Sequence, residues 1–172
     1  MGSGYVGRIL HVDLDKRKTE VEEKEDAFYR TCLGGRGIGY PYLIKEVPPG
    51  IDPFSSRNVL VLATGVMTGA PLAASCRFSA IGKSPLTETA GESEAAGFFG
   101  PELKMAGFDA IVFRGKAESP VYLWVTDGKT GPPGGPRGRR CHPGRHGKPE
   151  NPGGPDRGKL LELGLEWVDE LL

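Results

Sequence analysis

The sequence predicts an α+β fold of mixed sheets and short helices, followed by a disordered tail. Over residues 5–126, short apolar or apolar–polar alternating segments typical of strands are separated by turns rich in glycine and proline. Helical segments stand between them in mixed order, without the strict strand–helix–strand repeat of a parallel α/β fold. Composition then changes abruptly, because residues 131–158 contain no Ala, Val, Ile, Leu, Met, Phe, Tyr or Trp.

The first predicted elements are two strands joined as a hairpin. Residues 5–14 form the first strand, because apolar residues occupy every second position from Leu10 to Leu14. The polar residues 15–18 supply a turn, and 19–22 return as the second strand.

Two helices are predicted after the hairpin. Residues 24–33 form the first, and Gly34 and Gly35 end it, as glycine after a helix commonly does. Residues 38–46 form the second. Pro41 is acceptable only in the first turn of this helix, because later turns need the backbone N–H that proline lacks.

The second half of the domain combines strands, loops and one short helix. Small residues over 64–74 predict a loop, and 88–100 lack the periodicity that would predict any element. Residues 101–106 predict one or two helical turns, with Pro101 suited to the first position. Strands are predicted at 58–63, 77–82, 109–114 and 120–126.

The chain divides into three regions: a folded domain over 1–129, a Gly/Pro/Arg-rich disordered segment over 130–158, and a short amphipathic helix over 159–172. The middle segment has no apolar side chains to bury, so nothing offsets the entropy of ordering it. Two interpretations of the tail stay open. It is a natural linker ending in a docking helix, or a frameshifted reading of a GC-rich gene, which would make the chain truncated after about residue 129.

Charge and composition exclude several classes of partner. The 22 basic and 22 acidic residues cancel, so charge gives no reason to expect nucleic acid or a membrane surface. No run approaches the ~20 apolar residues of a membrane-spanning helix. The first residues lack the basic-then-apolar pattern of a signal peptide, so we expect a cytoplasmic protein.

Several motifs, in one order and spacing, resemble the N-terminal domain of the tungsten-dependent aldehyde ferredoxin oxidoreductase family. The resemblance covers residues 4–129 and stops where the composition changes. The motifs are GlyArgIleLeuHisValAspLeu at 7–14, LeuGlyGlyArgGlyIleGly at 33–39, SerProLeuThr at 84–87, GlyPhePheGlyProGluLeuLys at 97–104 and AlaGlyPheAspAlaIle at 106–111.

The resemblance implies one half of a cradle for a tungsten (or molybdenum) bis-pterin cofactor with magnesium. For the complete enzyme it implies oxidation of an aldehyde to a carboxylate, with ferredoxin as electron acceptor, and it allows a homodimer. A 4Fe–4S cluster usually needs four thiolates. Cys32, Cys76 and Cys141 are too few and too dispersed. The cluster therefore belongs to other domains, and the isolated chain is expected to be inactive, with no catalytic residue assigned.

Arg77 is the first candidate for cofactor binding. The resemblance places an arginine here, beside the dithiolene and the pterin phosphates. The chemistry suits the role, because a guanidinium offers a rigid fork of donors to phosphate oxygens or anionic sulfur. The alternative is a solvated arginine at the end of a strand.

The loop at 93–98 is the second candidate, through Glu94, Ala96 and Gly97. The resemblance implies that its backbone lies against the cofactor and helps to hold a magnesium ion. The best-known family members have Asn-Ser-Gly-Gly here, so a contact from the Asn side chain is lost. Glu94 is a candidate magnesium contact, or it repels phosphates if unpaired. The alternative is a plain surface turn.

Arg36, within the glycine-rich motif at 33–39, is a secondary cofactor or interface candidate. The motif looks superficially like a phosphate-binding glycine loop. It lacks dinucleotide-fingerprint spacing and follows a predicted helix instead of a strand. A structural turn is the competing interpretation.

Two other functions stay open at this stage. The chain is the N-terminal part of a tungsten-containing benzoyl-CoA reductase-type subunit, which runs a reduction. Alternatively it has no catalysis, as a truncated product or a stand-alone binding or assembly module.

Overall fold

The computed structural model describes residues 4–119 and 121–131 together with the backbone of 161–164, and a six-stranded mixed sheet forms its centre. The strand order is β2-β1-β6-β3-β4-β5, in which β1 and β6 are parallel and every other neighbouring pair is antiparallel. The mixed sheet confirms the predicted α+β class. The strands are β1 (Arg8–Asp13), β2 (Lys18–Glu23), β3 (Val59–Thr64), β4 (Phe78–Lys83), β5 (Ala90–Ala95) and β6 (Ala110–Arg114).

Three helices and a second, three-stranded sheet complete the described residues. The second sheet has the order β8-β7-β9, with both pairs antiparallel. The helices are α1 (Asp26–Cys32), α2 (Arg36–Glu46) and α3 (Phe99–Met105), and the strands are β7 (Tyr122–Thr126), β8 (Lys129–Thr130) and β9 (Leu161–Gly164). None of the helices in this described part is long and apolar enough to cross a membrane.

Each face of the large sheet is covered by a separate apolar cluster. Alternate residues of β1 divide between them: Ile9 packs with α1 and α2, whereas Leu10 packs with α3 and β7. Residues Val59–Thr64 of β3 are all buried, as expected for a strand covered on both faces. This arrangement explains why β3 and β6 appear in the sequence as continuous apolar runs.

The predicted hairpin is confirmed as the antiparallel pair β1–β2, and one strand was not predicted. Residues 90–95 form β5, which pairs with β4 along its whole length. This segment has no strong strand propensity and lies at the sheet edge, so its extended conformation comes from pairing with β4.

Both helical prolines lie deeper in their helices than predicted. Pro41 is the sixth residue of α2, because the helix begins at Arg36. Its ring leaves the Gly37 carbonyl without the usual N–H partner, and the prolyl side chain faces solvent. Pro101 is the third residue of α3, where the backbone N–H would lack a helical acceptor in any case.

The C-terminal part departs from prediction at two places. β8 pairs with β7 through Thr130, so the folded domain extends past the predicted boundary at 129. Residues 161–164 form a strand beside β7, not part of the helix predicted over 159–172. The alternation of leucine with Glu162 and Gly164 suits a strand. Residues 132–160 and 165–172 lie outside the described residues, so the proposed disordered segment remains a prediction.

A polar network at the α2 face of β1 centres on Glu22. Lys24 Nζ donates to its Oε1 at 2.6 Å, and the Tyr42 hydroxyl donates to Oε2 at 2.6 Å. His11 Nδ1 accepts from Arg114 at 2.7 Å, which leaves Nε2 to donate to Glu22 at 2.8 Å. Burial raises the pKa of Glu22, but the hydrogen bonds from Lys24, Tyr42 and His11 outweigh it and hold the pKa at about 2.

We expect Glu22→Gln to destabilise the domain at neutral pH but not in acid. A carboxyl whose folded pKa is depressed contributes stability above its unfolded pKa of 4.5 and loses it as pH falls towards 2. Because the side chain is 38% exposed, solvent screening limits the effect to about 1–2 kcal/mol. Urea unfolding from pH 2 to 7 measures it, with the exposed Glu20→Gln as control. A gap between wild type and variant that does not change with pH would contradict this assignment.

Candidate functional site

The ends of three elements bring the candidate residues together at one side of the sheet. Arg77 immediately precedes β4, Arg36 is the first residue of α2, and Glu94 lies near the end of β5. β4 and β5 are antiparallel, and Glu94 lies opposite Ser79. The end of β5 is therefore close to Arg77, which precedes the first residue of β4.

Glu94 lies between the two arginines. Arg36 Nη2 donates a hydrogen bond to Glu94 Oε1 at 3.2 Å, and Arg77 Nη1 lies 3.7 Å from Oε2. The Arg77 side chain is 65% exposed and that of Glu94 is 40% exposed. Ion pairs this open to water contribute little to stability. The group is therefore available to a ligand instead of being committed to the fold.

Glu92 adds a second carboxylate to this group. Its Oε1 lies 2.9 Å from Arg36 Nε, which is an ion-pair distance without hydrogen-bond geometry. The Tyr40 hydroxyl donates to Glu92 Oε2 at 3.3 Å. The hydrogen bond to Glu94 and the charge of Glu92 raise the pKa of Arg36, so this guanidinium stays cationic.

A pocket of about 310 Å³ opens beside Arg77. One wall is the Gly65–Thr68 turn that follows β3, and the opposite wall is Arg77–Ser79 with Glu94. Thr68 ties the walls together, because its Oγ1 donates to the Arg77 carbonyl at 2.7 Å and accepts from the Gly65 N–H at 3.0 Å.

Lys104, which sequence reasoning did not single out, holds this turn from beneath. Its Nζ donates to the carbonyls of Gly65 at 2.6 Å, Val66 at 3.0 Å and Gly4 at 2.6 Å. Burial lowers the pKa of Lys104, and the charge of Asp109, with Oδ1 at 3.9 Å from Nζ, partly opposes that change. The signal in the sequence for this role is a lysine on the buried face of a short helix.

The backbone candidates of the 93–98 loop lie apart from the pocket. Ala96 and Gly97 are exposed on the loop that follows β5, and neither lines the cavity. Gly97 has φ 128°, a conformation that favours glycine, and a Cβ there would meet nothing within 4 Å. The structure thus joins Arg36, Glu94 and Arg77, and leaves Ala96 and Gly97 exposed on the loop after β5, outside the lining of the pocket.

The glycine-rich motif at 33–39 serves close packing. A Cβ on Gly34 would lie 3.1 Å from the Thr64 carbonyl oxygen, and one on Gly39 would lie 2.5 Å from Ile81 Cδ1. These contacts bring α2 against β3 and β4, which carries Arg36 to the site. The described structure gives its glycines a packing role and leaves Arg36 as the ligand candidate.

The donor set fits an anionic group that arrives with a cation. Two guanidinium groups and an open pocket suit phosphate oxygens, whereas the Glu94 carboxylate opposes them unless it is paired or bound to a metal. Among the described residues, no three His, Cys, Asp or Glu side chains converge to hold a metal ion. Glu94 would therefore share a cation with oxygen atoms of the ligand.

The sequence that folds into this mixed sheet matches a class of oxidoreductase N-terminal domains. The sequence model "Aldehyde ferredoxin oxidoreductase, N-terminal domain" matches residues 9–131. The chain therefore belongs to the aldehyde ferredoxin oxidoreductase family, which confirms the resemblance found in the sequence.

Similar proteins include tungsten enzymes and a solved complex. The tungsten-containing aldehyde ferredoxin oxidoreductase of Pyrococcus horikoshii is 44% identical over 124 residues, or 72% of this chain and 20% of that protein. The aliphatic sulfonate oxidoreductase WOR-like subunit of Pyrococcus furiosus is 40% identical over 125 residues, or 70% of this chain and 20% of that subunit. The chain thus spans about a fifth of the length of the curated relatives it matches.

The structural comparison agrees with the sequence comparison. The active site complex BamBC of benzoyl coenzyme A reductase, solved with 1,5-dienoyl-CoA, superposes with a TM-score of 0.72 at 37% identity. The match covers 76% of this chain and 20% of that one. The fold and the family are therefore established together.

Proposed function

We propose that this chain supplies one wall of a tungsten–pterin site, with Arg77 binding an anionic group of the cofactor. The observation that carries the proposal is the Arg77 guanidinium, which is open to solvent at the mouth of a 310 Å³ pocket. Arg36 supports it through Glu94. Tungsten is proposed because the similar proteins are named as tungsten-containing enzymes, and molybdenum is the alternative metal.

Each proposed residue has a distinct task. Arg77 binds and orients phosphate oxygens through its planar fork. Glu94 would offer a carboxylate oxygen to a bound magnesium ion, and Arg36 holds Glu94 in place. Ala96 and Gly97 do not line the pocket, so their backbone would contact only a part of the ligand that extends past the end of β5. When bound, the cofactor supplies the two-electron redox chemistry, and the protein contributes binding and electrostatics.

For the complete protein we propose oxidation of an aldehyde to a carboxylate in the cytoplasm. Ferredoxin is the proposed electron acceptor, which the names of the relatives support. The 4Fe–4S cluster then belongs to other domains, and a homodimer is the proposed assembly.

A second function is supported by the solved structural neighbour. The superposition on the benzoyl coenzyme A reductase complex favours a subunit that runs a reduction on a coenzyme A ester. The described residues do not separate these two reactions. A binding or assembly module without catalysis is the third proposal, and cofactor retention tests it.

We expect Arg77→Ala to lower cofactor retention without unfolding the domain. Residues 1–131 are joined to the downstream domains of a related enzyme, and bound tungsten and pterin are measured. Loss of one bidentate contact predicts retention lower by about tenfold. Arg77→Lys restores part of it, because an ammonium keeps the charge but loses the fork.

The exposed Arg57→Ala is the matched control and should change neither retention nor melting temperature. Unchanged cofactor content in Arg77→Ala would remove this residue from the site. Unfolding of Arg77→Ala would instead assign it a structural role. A wild-type chimera that holds no tungsten or pterin would favour the non-catalytic module.

A further inference from the structure

One edge of β7 is paired with a segment from the tail of the chain. β7 pairs with β8 on one side and with β9 on the other. The family match ends at residue 131, so β9 lies outside it. We propose that this edge of β7 is a binding site for an extended peptide, and that β9 is a displaceable internal occupant that limits access to it. The inference does not depend on the proposed cofactor site.

The backbone of β7 shows which groups this edge presents. The Gly131 N–H donates to the Trp124 carbonyl at 3.0 Å, so Trp124 directs its backbone groups towards the β8 side. Successive residues of an antiparallel strand direct their N–H and C=O groups to opposite edges. Leu123 and Val125 therefore direct theirs towards β9. These two residues supply the donors and acceptors that an added strand uses.

The sequence of β9 suits this edge in one register. Its two leucines stand opposite Leu123 and Val125, and Glu162 stands opposite Trp124. Leu123 and Val125 are fully buried, whereas Trp124 is half-buried. Because residues directly opposite each other share one face of a sheet, a slip of one residue would bring Glu162 opposite a buried position. The edge therefore favours a peptide with apolar residues at two alternate positions.

The site has a second border, formed by α3. The backbone of β9 lies close to α3 as well as to β7. Leu103 of α3 belongs to the same buried cluster as Leu123 and Val125. A strand added here therefore covers part of the apolar core in addition to the edge of β7. Strand addition commonly combines main-chain hydrogen bonds, which give affinity, with sites for alternate side chains, which give specificity.

The pairing of β9 is short enough to be displaced. β9 contributes four residues and is joined to β8 through residues 132–160. An isolated pair of strands is only marginally stable in water. Attachment to the same chain raises the effective concentration of β9, but a long connection reduces that gain. A free peptide of the same pattern therefore competes with β9 for the edge, and β9 in turn protects the edge from other chains.

Amide hydrogen exchange of the full 172-residue chain, followed by NMR, tests the occupancy. We expect the amides of Leu123 and Val125 to exchange at least about tenfold more slowly in wild type than in Leu163→Pro, because proline removes a donor and disrupts the pairing. The Thr126 amide is on the β8 side and should not change. Asp156→Pro adds a proline to the tail before β9 and should match wild type.

A synthetic peptide of residues 159–166 measures access to the edge. We expect it to bind Leu163→Pro at least about fivefold more tightly than wild type, because β9 competes for the site in wild type. Shifts of the Leu123 and Val125 amides locate the bound peptide. A control peptide with serine in place of both Leu161 and Leu163 should bind neither chain.

The outcomes are distinct. Equal exchange at Leu123 and Val125 in wild type and Leu163→Pro would show that β9 does not occupy the edge. A peptide that binds neither chain, or binds both equally, would show that the edge is not a site limited by β9. A wild-type dimer that Leu163→Pro abolishes, measured by sedimentation, would show that β9 occupies the edge of a second copy. Each of these results overturns the proposal.

A second variant keeps the test decisive if Leu163→Pro fails to fold by circular dichroism. Leu163→Ser keeps the backbone donor and removes the apolar residue from the register position opposite Leu123. It should lower the protection of the Leu123 amide by at least about threefold and leave that of Thr126 unchanged. Wild-type protection in Leu163→Ser would contradict the proposal.

Discussion

Replacing Lys104 with methionine is expected to lower the free energy of unfolding by about 3–5 kcal/mol, the range for breaking a buried charged contact by removing one partner. The ammonium donates to the carbonyls of Gly4, Gly65 and Val66 and lies near buried Asp109. Methionine keeps the aliphatic length of the side chain but donates nothing. Because burial already lowers the pKa of Lys104, relief of that desolvation places the loss near the lower end of the range.

Urea unfolding at pH 7 measures the effect, with the exposed Lys116→Met as the matched control. The control should change stability by less than about 0.5 kcal/mol. Combining Lys104→Met with Asp109→Asn should cost less than the sum of the single changes, because the two residues share one buried environment. A loss below about 1 kcal/mol in Lys104→Met would show that water replaces the ammonium without cost.

Gly37→Ala is expected to destabilise the domain by about 3 kcal/mol or more, at the upper end of overpacking effects. A Cβ at this position overlaps the carbonyl oxygen of Cys32, a backbone atom that cannot rotate away. The α1–α2 junction must therefore open to accept a methyl group. This loss of stability is opposite to the intrinsic helix propensity, because alanine ordinarily stabilises a helix by about 1 kcal/mol relative to glycine.

Thermal and urea unfolding of Gly37→Ala are compared with Gly131→Ala. A Cβ on Gly131 would make an ordinary contact of 3.5 Å with Trp124, so this control should stay close to wild type. Wild-type stability in Gly37→Ala would mean that the junction relaxes freely. The packing role assigned to the glycine-rich motif would then be wrong.

The sequence predicts the elements whose signal is local. The β1–β2 hairpin and the apolar runs of β3 and β6 are visible because alternation and burial are written into consecutive residues. The strand β5 is not, because its conformation depends on pairing with β4. The sequence likewise predicts a helix over 161–164, whereas this segment forms a strand because it pairs with the edge of β7.

The residues of the candidate site also differ in whether a local sequence signal predicts them. Arg77 and Glu94 could be proposed from a short motif, but the pairing of Glu94 with Arg36 joins residues 58 positions apart and depends on the docking of α2. The role of Lys104 is not visible in the sequence, because its hydrogen bonds go to backbone carbonyls, which no pattern of side chains reveals. The packing role of Gly37 likewise requires the position of a distant backbone atom.

The parallel pair β1–β6 determines when the sheet can assemble. Ile9 pairs with Ala110 and Asp13 with Arg114, so the first strand of the chain needs a partner about 100 residues later. Closing a loop of that length costs about 4 kcal/mol in chain entropy before any contact forms. High contact order slows folding. During synthesis, the edge of β1 that pairs with β6 therefore has no partner until β6 has left the ribosome. In that interval, association with other chains competes with folding.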